Sequence, residues 1–322
     1  MARLPERARR RVGARVEVYL PIAEVSLNVL LLLGLGGVAG MLAGMFGVGG
    51  GFLLTPLLIF VGVPPAVAVA SQANQVIATS VTGLLNQWQR GNVDVRMGLV
   101  LLLGGLLGST AGIQLFTVLK RFGQVDFVIH VGYVLLLLSI GSMMVVEVWR
   151  AWQRRRTNQP ARRKLHQHFL VHRLPLKLRF YKSRLYISAL LPGGLGFATG
   201  VLSAILGIGG GFVLVPAMIY LLGMPTVVVV GTSLFQILFV AINVTFLQAI
   251  QNQTVDVVLA LILMLGGAIG APLGSRIAAN LPGFQLRGLL ALLILGMAFE
   301  LMFELVTPPS AIHTLGEMGH MP

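Results

Sequence analysis

A run of glycines set inside an apolar stretch is written twice into this chain. GMFGVGGGFLLTPLLIF, Gly44 to Phe60, returns as SAILGIGGGFVLVPAMIY, Ser203 to Tyr220. Gly47 answers Gly207, Gly49–Gly51 answer Gly209–Gly211, Phe52 answers Phe212 and Pro56 answers Pro216. Glycine costs a helix roughly 1 kcal/mol per residue relative to alanine, so three adjacent ones interrupt it. Lipid cannot satisfy the backbone groups that the interruption frees, so such breaks persist only where protein buries them or where they line a cavity. Two matched breaks in corresponding positions point to the substrate site of a transporter.

Composition fixes the class around those breaks. The chain is 56% hydrophobic and 11% charged, and Val25–Ala43, Leu99–Leu119 and Val257–Leu273 contain no charged residue. Runs of that kind approach the roughly 20 residues a spanning helix needs. With no cysteine, disulfides, thiolate metal sites and thiol redox chemistry are excluded. No cleavable signal is expected, because about two dozen polar-leaning residues precede a long first apolar run.

The net charge of +14 is concentrated in two places. Arg150, Arg154, Arg155, Arg156, Arg162, Arg163, Lys164, Arg173, Lys177, Arg179, Lys182 and Arg184 follow one another with no intervening carboxylate. Arg3, Arg7, Arg9, Arg10, Arg11 and Arg15 precede the first span. Basic segments beside spans mark the cytoplasmic side and attract anionic lipid headgroups, about 1 kcal/mol per residue. No recognition motif accompanies the charge, so nucleic acid is not an expected partner.

The expected fold is an all-α polytopic membrane protein of two tandem homologous halves. Residues 1–24 form a basic N-terminal segment, 25–148 the first transmembrane repeat, 149–187 a basic cytoplasmic linker, 188–306 the second repeat and 307–322 a tail. Each half reads as a broken element, Val25–Gly62 or Ser188–Gly223, followed by three continuous helices. Those are Pro65–Trp88, Val95–Leu119 and Val125–Val148, then Pro225–Ala249, Val255–Ala279 and Phe284–Val306. If each broken element crosses once, the chain makes eight crossings, with both basic clusters inside and Lys120–Arg121 outside. If it is a hairpin, the halves are inverted and one cluster lies outside. The two clusters outweigh one pair, which favours eight.

A helix restarting after each glycine run presents unpaired N–H groups carrying about half a positive charge, where a small anion binds without a basic side chain. Gly49, Gly50, Gly51, Phe52 and Gly209, Gly210, Gly211, Phe212 are the candidates. Gly104, Gly108 and Gly112 fit close helix packing instead. Polar residues on the next helix complete the candidate site: Ser71, Asn74 and Gln75 on one face, with Gln72 and Thr79 flanking it, and then Thr232, Ser233 and Gln236. Interhelical hydrogen bonding is the competing role for each of them.

Asp94 and Asp256 recur just before corresponding spans and read as helix N-caps. Glu300 and Glu304 sit near an interface, while His166, His168 and His172 lie in the solvated linker without carboxylate or thiolate partners. No nucleophile–base constellation is present, and no Gly-Lys-Ser/Thr ending follows the glycine boxes. An enzyme, a metal site, a cofactor and ATP drive are therefore not expected.

The doubled GxGGGF–P box, Asn74–Ser80, QRGNVD at Gln89–Asp94 and GTS at Gly231–Ser233 resemble the TauE/SafE family, the sulfite exporter or toluene sulfonate uptake permeases. The resemblance covers Val25 to Val306 and implies a secondary transporter of the cytoplasmic membrane that carries sulfite, a sulfonate or sulfoacetate. It leaves open the substrate, the direction, the coupling ion and a homodimer. An anion channel built on the same dipoles, a carrier of another small organic anion, and an intramembrane enzyme or assembly factor are the alternatives.

Overall fold

The structure, a computed structural model, describes residues 17–46, 50–156, 177–180, 182–183, 185–280 and 283–306. Gly47, Gly49, the N-terminal arginines, residues 157–176 with the linker histidines, and the tail 307–322 lie outside them. The elements come in two series. The first is β1 (Glu17–Leu20), β2 (Val25–Asn28), α1 (Val29–Phe46), α2 (Gly51–Phe60), α3 (Pro65–Gln89), α4 (Val95–Arg121) and α5 (Val125–Arg156). The second is β3 (Lys177–Phe180), β4 (Leu185–Ser188), α6 (Leu190–Leu206), α7 (Gly211–Tyr220), α8 (Thr226–Leu247), α9 (Val257–Asn280) and α10 (Gly283–Val306). A π-helical turn, Gln248–Asn252, follows α8. The chain is thus a mostly helical, polytopic membrane protein, with two short antiparallel hairpins, β1–β2 and β3–β4, that hydropathy did not reveal.

Among the described residues, five helices are long and apolar enough to cross a bilayer: α1, α4, the start of α5, α8 with its π turn, and α9. At 25 residues α3 has the length, but Ser71, Gln72, Gln75, Thr79 and Ser80 lower its hydropathy. All five are buried. This is a helix whose polar residues face protein, not lipid.

Two compact units divide the chain. One joins Met1–Asp126 to Ala161–Pro282, and the other joins Phe127–Pro160 to Gly283–Pro322. In the smaller unit, Gly141 of α5 leaves room for Leu295 and Ile294 of α10. In the larger one, glycines seat helix on helix. Gly36, Gly40 and Gly44 of α1 face Leu263, Gly267 and Ala271 of α9, so closely that a Cβ on Gly36 would stand 2.8 Å from the Leu263 carbonyl oxygen. Gly104, Gly108 and Gly112 of α4 likewise meet Gly193, Phe197 and Val201 of α6. Lipid offers helices no hydrophobic reason to associate, so close backbone approach of this kind supplies it.

The order of those contacts gives helix direction. Both glycine-seated pairs rise together, so α1 runs with α9 and α4 with α6. Between α3 and α8 the order reverses: Gly83 meets Leu234, Val76 packs with Ile237, and Ala73 packs with Val240 and Val244. Four crossings per half would run α3 and α8 the same way, so the eight-crossing expectation does not fit their opposite directions.

Each glycine break doubles back on its own helix. A Cβ on Gly50 would lie 2.7 Å from the Ala39 carbonyl oxygen, and one on Gly210 3.1 Å from the Thr199 carbonyl oxygen. Neither position is compatible with a chain that continues forward. At 10 residues each, α2 and α7 are about 15 Å long, half a hydrocarbon core.

Candidate substrate site

Local backbone chemistry makes both breaks. Gly50 (φ 68°) and Gly210 (φ 73°) are left-handed N-caps, and Gly207 and Gly209 are also left-handed. Only glycine adopts that conformation without strain. The chain then re-enters a helix at Gly51 and at Gly211, one residue before the aromatic.

The two restarts meet. Phe52 and Phe212 stack with ring centroids 4.3 Å apart and planes 9° from parallel, both buried. Two helix N-termini thereby converge, each with first-turn N–H groups that no intrahelical carbonyl receives. Converging positive ends repel one another, and an anion between them removes that repulsion. Among the described residues no lysine or arginine is buried, so the positive character available there is the backbone's own.

Helix α3 brings amides to this junction. Gln72 Nε2 donates to the carbonyl of Gly207 in the opposite break, and a Cβ on Gly51 would stand 2.9 Å from Gln72 Oε1. Val76 lies between Gly51 and Gly209. Next to it, Gln75 is fully buried against Gly267 of α9, and Gln236 of α8 is fully buried against Gly105 of α4. Neither amide has a hydrogen-bond partner through nitrogen or oxygen, and Gln72 Oε1 is also unpartnered. Each such group costs about 1–3 kcal/mol when left unsatisfied. Buried amides without partners at matching places on two helices call for a ligand or an ordered water to satisfy them.

The other sequence candidates fall elsewhere. Ser71 Oγ accepts from the Asp256 amide at 2.9 Å and Thr232 Oγ1 from the Asp94 amide at 3.1 Å. These two hydroxyls tie α3 to α9 and α8 to α4. Ser233 donates to its own helix at Val230, as does half-buried Asn74 at Ser71. Thr79 donates to the carbonyls of Gln75 and Val76 and borders a cavity. Gly49 lies outside the described residues. Gln72, only a flanking residue by helical-face counting, sits at the break itself; its spacing from Gln75 was the available signal.

Both aspartates are N-caps, as their spacing predicted. Asp94 Oδ1 accepts from Met97 N, and Asp256 Oδ1 from Val258 N and Leu259 N. Each second oxygen holds the hairpin of the other series: Asp94 accepts from Ser183 N and Oγ, and Asp256 from Ile22 N.

The family model for sulfite exporter TauE/SafE matches residues 32–301, most of the chain. The chain belongs to the TauE/SafE family. A relative in Xylella fastidiosa (strain 9a5c), named a probable membrane transporter protein, is 29% identical over 79% of this chain and 86% of its own length. The probable membrane transporter protein YjnA of Bacillus subtilis (strain 168) is 28% identical over 84% of this chain and 98% of its own. Sulfite exporter TauE/SafE family protein 1 of Arabidopsis thaliana is 25% identical over 39% of this chain and 28% of its own. No solved structure matches. The chain is therefore a multi-pass membrane protein of a transporter family.

Proposed function

We propose that this TauE/SafE member is a secondary carrier that moves a sulfur-containing oxyanion, sulfite, a sulfonate or sulfoacetate, across the cytoplasmic membrane. The observation that carries this reading is the pair of orphan amides, Gln75 and Gln236, beside two converging helix N-termini. Neutral donors bind an oxyanion through hydrogen bonds to a charged acceptor, which are stronger than neutral ones. They also avoid placing a cation at membrane depth.

The opposed helix directions support two inverted repeats, each a re-entrant helical hairpin followed by three crossings. The ligand then lies at the midplane between repeats, where rocking of one against the other exposes it to either side. In this arrangement the linker faces the cytoplasm because it carries the longer basic run, and it meets anionic headgroups there. The N-terminal cluster faces the opposite side.

Purified protein in liposomes tests the function. Labelled sulfite or an organosulfonate should be taken up, and Gly50→Leu and Gly210→Leu should each abolish uptake while remaining in the membrane. No flux across a panel of sulfur oxyanions removes the proposal, and wild-type flux in both variants removes the glycine site.

A further inference from the structure

One helical turn beyond Gln75, the larger unit encloses a cavity of about 190 Å³. Thr79, Thr82, Asn86 and Gln87 of α3 and Ser275 of α9 give it polar groups within a mostly apolar lining that includes Val230, Leu234, Ala271 and Pro272, and the end of α1 at Ala43 and Gly44 backs it. Gln87 and Asn86 lead toward the α3–α4 turn, where Lys182 of the β3–β4 hairpin donates to the carbonyls of Gly91 and Val93 at 3.2 and 3.1 Å. The cavity therefore points to the end of the unit that carries the linker hairpin. Exposed Arg90, Lys182 and Arg276 lie at that end.

The matching place in the second series is filled. The register that aligns Gln75 with Gln236 aligns Thr79 with Val240 and Gly83 with Val244, and the box and aspartate registers align Gly44 with Ala204 and Ser275 with Ile113. Ala204, Val240, Val244 and Ile113 are all buried and, with Ala73, form one apolar cluster. At these four positions the polar and small residues of one path become an apolar plug on the other, while Thr82, Ala271 and Pro272 align with Asn243, Ser109 and Thr110, where Asn243 Nδ2 donates to both hydroxyls. Below the plug the polar groups satisfy one another: Asn252 Nδ2 donates to Gln248 Oε1 at 2.7 Å, and Lys120 Nζ donates to the Asn252 carbonyl at 2.6 Å.

We propose that the Thr79–Ser275 cavity is the vestibule through which a small oxyanion reaches the central amides from the linker face, and that the Ala73–Ile113–Ala204–Val240–Val244 cluster is the gate closing the opposite face. This rests on the carrier reading of the central site. The Asn86 and Gln87 amides offer donors to a partly hydrated anion, the Thr79, Thr82 and Ser275 hydroxyls donating to carbonyls of their own helices, and the cationic rim raises its local concentration. The apolar cluster offers an ion no partner at all, so it bars passage until its helices part.

The absence of native cysteine makes single-cysteine chemistry unambiguous. Ser275→Cys and its counterpart Ile113→Cys are exposed, in vesicles of each orientation, to 2-sulfonatoethyl methanethiosulfonate and to its trimethylammonium analogue. Ser275→Cys should react from the linker face alone. Its preference for the anionic reagent, relative to a free thiol, should be about tenfold. Ile113→Cys should react from neither face at a comparable rate. Thr79→Cys and Val240→Cys form a second pair if the first does not assemble. Equal reaction at both members of a pair, or equal reaction of Ser275→Cys from both faces, overturns the assignment. So does full flux after Ser275→Cys has been modified to completion. Labelling needs no substrate, so a protein that labels as expected but transports nothing fails the carrier reading and leaves the access route standing.

Discussion

Gln75 and Gln236 occupy matching places on α3 and α8, equally buried and equally without partners. One turn away the two helices part company: Thr79 borders a cavity, while its counterpart Val240 sits in an apolar cluster. The centre is symmetric and the approaches are not. On the reading proposed above, binding chemistry is duplicated, whereas access is specified separately for each face by the choice between hydroxyl and methyl groups at a few aligned positions.

The largest effect concerns direction. Pro64 and Pro225 are exposed N-caps of α3 and α8. Cysteines at Pro64→Cys and Pro225→Cys should react with an impermeant maleimide from opposite sides of the membrane. Labelling from the same side would restore tandem halves of equal orientation.

Next comes packing. Gly40→Leu in α1 and Gly108→Leu in α4 both drive a side chain into the partner helix's backbone. Each should abolish assembly, read as loss of monodisperse protein in detergent; tolerance of either would show that only one helix pair depends on close approach.

At the central site, Gln75→Leu and Gln236→Leu should each lower oxyanion flux roughly ten- to a hundredfold, the loss of one hydrogen bond to a charged ligand. A large effect from one and none from the other would break the symmetric half of the comparison. At the gate, Ile113→Ser with Val240→Thr writes the cavity's chemistry into the plug. Passive anion leak through liposomes holding this variant should exceed the wild-type leak, and an unchanged leak would detach the cluster from gating.

The smallest effect is at the hairpins. Ser183→Ala removes one hydroxyl from the Asp94 clamp and should cost about 1 kcal/mol, seen as a small fall in the thermal midpoint without loss of flux.

Much of this was legible in the residues. Apolar period and glycine punctuation placed α3, α4, α8 and α9 within a few residues of their ends, and the repeated Val-Asp dipeptide marked two N-caps. The hairpins were hidden because four-residue strands leave no periodic signal, and their sequences, VYLPIAEVSL and LRFYKSRLYI, share little. Orientation was hidden for a different reason. A hairpin and a single crossing have the same composition, and charge counting weighs two clusters that the inverted repeats proposed above set on opposite faces. Ser71 and Thr232 looked like ligand donors because nothing local announces that each receives the amide of an aspartate more than a hundred residues away. Gln72 and Gln75 could be told from Asn74 only after the position of the opposite break was known.

Direct binding to the purified protein is the closest test of the central amides. Calorimetry with sulfite and with an organosulfonate should give saturable binding of one ligand per chain in the wild type, lost in the Gln75→Leu, Gln236→Leu double variant while its thermal midpoint holds. Undiminished binding to a folded double variant would contradict the site.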